Sequence, residues 1–227
     1  MRPLAPDFRR TLFLLPLLST VAWAAGHRLA SGFPLDAIEQ VGFCSVAAFM
    51  SALPAALVLA VGGALLLMPV GVRPWPWLLG TVVVLPMAMV LGFLADAVVL
   101  YRQVHAMGMA LLGEGGDAFM RTSPPLDLLF TGLMLGVAQL PSLPAKYRTR
   151  WGLRALWVVG GMAGLGVGWF VSGVVAARPG VPGSVQGGLM GLVSGAACSG
   201  VLFLMDREAR GGSAGNGVAT SGGIGGA

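Results

Sequence analysis

The stretch 153–177, LRALWVVGGMAGLGVGWFVSGVVAA, carries a single charged side chain, Arg154, and is otherwise almost entirely apolar. A helix needs about 20 predominantly apolar residues to cross the hydrocarbon core of a bilayer. Small residues recur at every fourth position, which places them on one face of such a helix. The stretch therefore predicts a transmembrane helix with one closely packed face.

Five other runs extend this pattern along the chain. Three of them, 42–70, 77–101 and 181–205, are also long enough to cross a membrane as helices, and two weaker runs lie at 11–29 and 126–143. Transmembrane strands would alternate apolar and polar residues, whereas these runs are continuous. The predicted fold class is therefore all-α, an integral membrane bundle of six transmembrane helices.

The six runs define the predicted domain organisation. Residues 1–210 are expected to form a single transmembrane domain, and 211–227 a Gly-rich tail. The tail has too little apolar bulk to offset its chain entropy by burial, so it is predicted to be disordered.

Composition and charge place the chain in a membrane. Hydrophobic residues make up 56% of the sequence and charged residues 10%, which is more apolar surface than one soluble domain can bury. The net charge of +5 does not indicate a nucleic-acid partner, because basic residues cluster in alternate connections between the runs. Ten of the fourteen basic residues lie on one side. By the positive-inside rule, both termini are predicted to be cytoplasmic, and the expected partner is the lipid bilayer.

The prevalence of Arg over Lys, together with abundant Ala and Gly, is typical of a GC-rich bacterial genome. We therefore expect a bacterial cytoplasmic membrane. The N-terminal run has an alternative interpretation as a cleaved signal, because Arg9 and Arg10 precede the apolar segment and Ala22-Trp23-Ala24 fits a cleavage site. A retained span is favoured, since the last span would otherwise lack a partner.

An internal repeat is predicted at an offset of 76 residues. Its unit would be a span, a short cytoplasmic loop and a returning span, so that the second span pairs with the third and the fourth with the fifth. The last and first spans would complete a third pair. The matching positions are Trp75 with Trp151, Val82 with Val158, Val83 with Val159, Gly92 with Gly168, Val98 with Val174, and Val99 with Val175.

One hairpin carries a recognisable motif. Gly132, Gly136 and Gln139 form G-x-x-x-G-x-x-Q, a basic loop with Trp151 follows, and the returning span contains Gly168-Trp169. In this the chain resembles bacterial polytopic membrane proteins of uncharacterised function that are built from repeated hairpins of this form. The sequence departs from the pattern at Leu140, where Trp is common, and at Gly63, where Gln is common. The resemblance implies a helical membrane bundle and no particular activity.

Two stripes of small residues are predicted to form helix-packing seams. Without side chains between them, two helix backbones can approach closely, which favours association in lipid. A bundle seam is the simpler interpretation, and a substrate channel or a self-association face is the alternative. The stripes consist of Gly160, Gly164 and Gly168 on the fifth span and Gly187, Gly191 and Gly195 on the sixth.

Three polar residues within the spans form a candidate polar membrane site: Asp96, Gln139 and Gln186. Ionisable groups in a membrane are costly and mark functional positions by default. Asp96 is expected to face the bundle interior and to contact Gln186 or Arg102. Gln139 is expected to form a hydrogen bond across a helix seam.

No phosphate loop, zinc helix or nucleophile elbow occurs in the sequence, so no catalytic residue, cofactor or metal is predicted. The leading hypothesis is a structural or assembly role, in which other membrane proteins or a second copy of the chain would be partners. The alternative is a small transporter or channel with Asp96 near its polar path. An intramembrane enzyme would need Asp96 and His105 at the same depth.

Overall fold

The computed structural model describes residues 6–30, 41–107, 126–176 and 181–214. Within these ranges, the side chains of about thirty positions lie outside the description, most of them in 41–51, 96–107 and 211–214. All regular structure in these ranges is helical, which confirms the all-α part of the predicted fold class. The helices are α1 (Pro6–Ala30), α2 (Val41–Leu67), α3 (Pro74–Met107), α4 (Leu126–Gln139), α5 (Ala145–Arg148), α6 (Trp151–Ala176) and α7 (Gly183–Ala214).

Five of these helices, α1, α2, α3, α6 and α7, are long and apolar enough to cross a membrane. Helix α4 is apolar but shorter, and with the 3₁₀ turn after it the apolar segment runs over Leu128–Ser142. Large hydrophobic side chains cover the outer surface, among them Leu57, Val61, Val159 and Phe170. A surface of this kind is typical of a membrane protein, because water would oppose so much apolar exposure.

The six longest helices, α1 to α4, α6 and α7, form a closed ring. Along the ring, α1 packs against α2, α2 against α3, α3 against α4, α4 against α6, and α6 against α7, while α7 returns to α1. The predicted partner helices α2–α3, α4–α6 and α7–α1 are therefore neighbours in the ring. Because each helix has two neighbours, the ring encloses an interior that all six can line.

The start of α1, the connections 68–73 and 140–150, and the end of α7 lie at the same end of the ring. We call this the basic end. The Arg73 amide donates to the Ser142 carbonyl at 2.8 Å, and the Thr11 hydroxyl donates to the Leu66 carbonyl at 2.9 Å. Leu67, Leu143, Tyr147 and other buried side chains form a hydrophobic cluster at this end. Both internal hairpins thus turn at the same end.

Helix α7 corrects one predicted boundary. The tail was expected to begin at 211, but α7 continues to Ala214, and the residues after it lie outside the described ranges. Elongation of an existing helix adds one hydrogen bond for each residue fixed, so a helix can continue past its last apolar residue.

Candidate functional site

The repeat predicted from the sequence is visible in the burial pattern of the two hairpins. Of the six matched pairs, five have both side chains described, and in each of these the two residues fall in the same burial class. Gly92 and Gly168 are buried, whereas Trp75 and Trp151 are 71% and 78% exposed at the basic end. Exposed Trp at a helix end is typical of the membrane–water interface. The hairpins α2–α3 and α4–α6 therefore have the same orientation relative to the bundle interior.

The glycine stripes lie where neighbouring helices approach most closely. The stripe on α6 faces α7: a Cβ at Gly168 would be 2.7 Å from the Met190 carbonyl oxygen. The stripe on α7 faces α1 instead, since a Cβ at Gly195 would be 2.7 Å from the Cα of Pro16. Gly160 and Gly164 meet α7 in the same way, and Gly187 and Gly191 meet α1. Both stripes are thus occupied by contacts within the chain.

A cavity of about 80 Å³ lies inside the ring. Its walls come from all six long helices, and most of the wall is apolar. The lining residues are Leu15, Ser19, Trp23, Leu59, Trp77, Gly132, Leu135, Gly136, Gln139, Trp157, Gly161, Leu165, Ser194, Gly195 and Cys198.

Most polar groups at the cavity have partners. Gln139 donates from Nε2 to the Thr81 hydroxyl across the α3–α4 interface at 3.1 Å, as expected of a seam residue. The hydroxyls of Ser19 and Ser194 lie 3.3 Å apart, which joins α1 to α7. The Trp77 indole N–H donates to the Leu59 carbonyl at 3.2 Å.

Trp157 is the exception. Its side chain is buried, and its indole Nε1 has no hydrogen-bond partner among the described residues. The ring packs edge-on against Trp77, with the centroids 6.3 Å apart. A buried indole N–H is a strong donor that normally finds an acceptor. Trp157 therefore adds to the largely apolar cavity wall a residue whose indole N–H is unsatisfied and is itself buried.

The void and the unsatisfied donor both lower the free energy of unfolding. A void of this size costs about 2 kcal/mol at roughly 24 cal/mol per Å³, and an unsatisfied buried donor costs about 1–3 kcal/mol. A small molecule in the cavity would remove the cost of the void, and one with a hydrogen-bond acceptor would also remove the second cost if the Trp157 ring turned its N–H towards it. A specific unsatisfied group in a native structure indicates a functional or a ligand-binding position.

Of the other two candidate polar residues, only Gln186 has a described side chain. Gln186 is half-buried near the start of α7 and is not among the lining residues. The backbone of Asp96 lies in α3, but its side chain, like those of Arg102 and His105, lies outside the description. Its counterpart in the second hairpin, Ser172, is fully buried and donates to the Trp169 carbonyl. Ser172 is seven residues beyond the lining residue Leu165, or about 10 Å along the helix.

The sequence did not lead us to predict Asp206 as a functional residue. It is 2% exposed at the basic end, where Oδ1 accepts from the Lys146 ammonium at 3.0 Å and the Tyr147 hydroxyl at 3.2 Å. Its Oδ2 lies 2.6 Å from the guanidinium of Arg210. The sequence indicated only a basic loop at 146–154, with membrane topology or lipid contact as the explanation. An acidic residue at the end of an apolar span, opposite that loop, was the available signal.

The environment of this ion pair shifts two pKa values. Burial opposes the charge on Lys146, but the hydrogen bonds and charges of Tyr147 and Asp206 outweigh it, so the pKa of Lys146 is raised. Burial raises the pKa of the Tyr147 hydroxyl, and Lys146 only partly opposes this. At neutral pH, Lys146 is therefore charged and Tyr147 remains a neutral donor. The ion pair joins the second hairpin to the end of α7.

Comparison of the chain with protein-family models, with curated proteins and with solved structures found no match. The function must therefore be inferred from the geometry of the bundle.

Proposed function

We propose that the chain is a six-span protein of a bacterial cytoplasmic membrane that binds small neutral solutes between its helices and acts as a transporter or channel for them. The observation that carries this proposal is the cavity between the helices, together with the unsatisfied N–H of its lining residue Trp157. A bundle with only a structural role gains nothing from a void and an unpaired donor at its centre.

Placement in the membrane rests on the helices and the charge distribution. Helix α4 packs between α3 and α6, so it shares their depth and serves as the sixth span although it is short. Helix α1 is retained in this proposal, because Ala22 and Trp23 are buried in the ring and α7 packs along it. The basic end faces the cytoplasm in accordance with the positive-inside rule, which also places both termini there.

The chemistry of the lining defines the class of solute. Among the described residues that line the cavity there is no carboxylate, amine, guanidinium or imidazole, so they would desolvate a charged solute without offering a counter-ion. Trp157 offers a donor, and the remaining wall is mostly apolar. A water-sized site needs about 10–15 Å³ of such volume, so the cavity suits one solute of a few heavy atoms with an acceptor oxygen.

Access from the basic end is closed in this structure. Tyr147, Leu143 and Met205 are buried in the hydrophobic cluster there, and Asp206 joins α7 to the second hairpin. Passage of a solute therefore requires this end of the ring to open. Glycine-lined seams allow packed helices to slide, which is one established type of opening motion.

The test fills the cavity without disturbing the surface. A Cβ at Gly161 meets only the Gly132 carbonyl oxygen, at 3.4 Å, so Gly161→Leu extends a side chain into the cavity. Gly173→Leu on the same helix is the matched control, since a Cβ there meets nothing within 4 Å. Stopped-flow light scattering of proteoliposomes is measured with urea, glycerol and water as the permeating species.

We expect at least one solute to equilibrate faster in proteoliposomes with the wild type or Gly173→Leu than in empty liposomes. For Gly161→Leu, this increase in rate should be at least tenfold smaller. Equal rates in all proteoliposomes and empty liposomes, with insertion verified by protease protection, would contradict the proposal. That result would favour the structural or assembly role, which the packed cluster at the basic end supports as the second candidate.

A further inference from the structure

A groove of about 570 Å³ opens on the outer surface of the bundle between the start of α6 and the end of α7. This volume lies within the range of roughly 300–1,000 Å³ that small-molecule sites have. Its lining residues are Arg150, Gly152, Leu153, Leu156, Leu204, Arg207 and Glu208. The groove is separate from the central cavity, with which it shares no residue.

The lining changes from charged to apolar along both helices in the same direction. On α6, Leu153 and Leu156 follow Arg150 towards the middle of the bundle, at about 5 and 9 Å along the helix axis. On α7, which runs the opposite way, Leu204 lies about 5 Å deeper than Arg207. One occupant would therefore contact charge at the basic end and apolar surface further in.

The charge of the groove favours an anion. Arg150 donates one guanidinium hydrogen bond to the Glu208 carbonyl at 3.2 Å, which leaves its other donors available. Arg207 is exposed and makes no ion pair or side-chain hydrogen bond within the described part of the chain. Glu208 contributes the one negative charge. The nearby segments 145–154 and 206–210 together hold six basic and two acidic residues, so the surroundings are strongly positive.

We infer that this groove binds an anionic phospholipid, with its phosphate between Arg150 and Arg207 and the start of an acyl chain along Leu153, Leu156 and Leu204. Arginine recognises phosphate through paired N–H donors, and basic pockets between transmembrane helices bind anionic head groups. A free phosphate would use the arginines but not the leucines. The inference does not depend on the transport proposal.

Native mass spectrometry of the full chain in detergent tests the site, with phosphatidylglycerol titrated against phosphatidylcholine. Arg150→Gln and Arg207→Gln each remove one phosphate contact, and Arg73→Gln at the same end of the bundle is the control outside the groove. Gly152→Phe is an independent variant, because a Cβ at Gly152 meets nothing within 4 Å and the ring fills the groove while both arginines remain.

We expect the wild type to bind phosphatidylglycerol at least tenfold more tightly than phosphatidylcholine. Each groove arginine substitution should lower that affinity about fivefold, Gly152→Phe should lower it at least as much, and Arg73→Gln should stay within twofold. Wild-type affinity in both Arg150→Gln and Arg207→Gln would overturn the proposal. Displacement of the lipid by millimolar inorganic phosphate would also overturn it, since that result indicates a small-anion site.

Discussion

The two hairpins α2–α3 and α4–α6 share a backbone arrangement but differ in chemistry. Residues 76 positions apart have matching exposure, from the exposed Trp75 and Trp151 to the buried Gly92 and Gly168. Yet where the second hairpin has Gln139 and Trp157, the first has Gly63 and Thr81. The repeat therefore specifies where side chains point, and the residues at those positions specify what the bundle can bind.

The cavity reflects this difference. Helices α4 and α6 supply seven of its lining residues, whereas α2 supplies only Leu59 and α3 only Trp77. The cavity thus belongs mainly to the second hairpin and to the α1–α7 pair facing it. A gene duplication that kept the fold would leave one copy free to acquire the polar groups.

The largest effect that tests this comparison is expected at Gly132, which corresponds to Ala56 in the first hairpin. A Cβ at Gly132 would be 2.7 Å from the Cα of Met162, so the backbones of α4 and α6 would have to separate. Gly132→Ala should lower the free energy of unfolding by about 2 kcal/mol. Thermal unfolding in detergent measures it.

The reverse substitution, Ala56→Gly, serves as the control. Ala56 is fully buried, and its loss should cost about 1 kcal/mol or less through helix propensity and a lost methyl contact. If Gly132→Ala lowers the free energy of unfolding no more than Ala56→Gly does, the two hairpins pack alike. The inference that α4 and α6 approach more closely than α2 and α3 would then be wrong.

Much of this architecture follows from the sequence. Continuous apolar runs predicted the helices, and glycine spacing predicted close approaches, because both depend on local periodicity alone. Helix α7 extends further than expected, since helix elongation continues past the apolar segment. The number of spans depends on α4. Its apolar segment is too short to indicate a span by length alone, so its assignment rests on its packing against α3 and α6.

The candidate site was less predictable. Gln139 was identified as a seam residue from its motif, but its partner Thr81 lies 58 residues away and nothing in the local sequence indicates the pairing. The local sequence does not single out Trp157, because an unsatisfied N–H is a property of the surrounding helices. Asp206 was missed since its cost at a span end is offset by Lys146 and Tyr147, which are distant in sequence.

A smaller effect separates the two tryptophans at the cavity. Trp77→Phe removes an indole that donates to the Leu59 carbonyl, whereas Trp157→Phe removes one without a partner. Both lose similar ring volume. Trp77→Phe loses a hydrogen bond with a net value of about 1 kcal/mol, whereas Trp157→Phe removes an unpaired donor, so Trp77→Phe should be more destabilising by at least about 1 kcal/mol. The comparison uses the same thermal unfolding assay.

Equal losses for the two variants would mean that the Trp157 N–H does have a partner in the purified protein. The described residues provide none, so such a partner would be either a molecule in the cavity or a residue outside the described part of the chain. Repeating the assay after exhaustive dialysis, and again with added urea or glycerol, would show whether the partner is exchangeable.

The smallest effect is expected at Asp96, the position where the first hairpin carries the charge and the second carries Ser172. Ser172 lies about 10 Å beyond the lining residue Leu165 along α6, and Asp96 is 19 residues, or about 28 Å, beyond Trp77, the lining residue of α3. Asp96→Asn and Asp96→Ser, which introduces the residue of the other hairpin, should leave neutral-solute flux in proteoliposomes within twofold of the wild type. An imposed pH gradient, followed with an internal dye, should dissipate at the same rate in all three proteins.

A tenfold loss of solute flux, or a proton flux that both substitutions abolish, would instead place Asp96 in the pathway. In that case the solute path would extend through the first hairpin as well, and the division of chemistry between the two hairpins would be wrong.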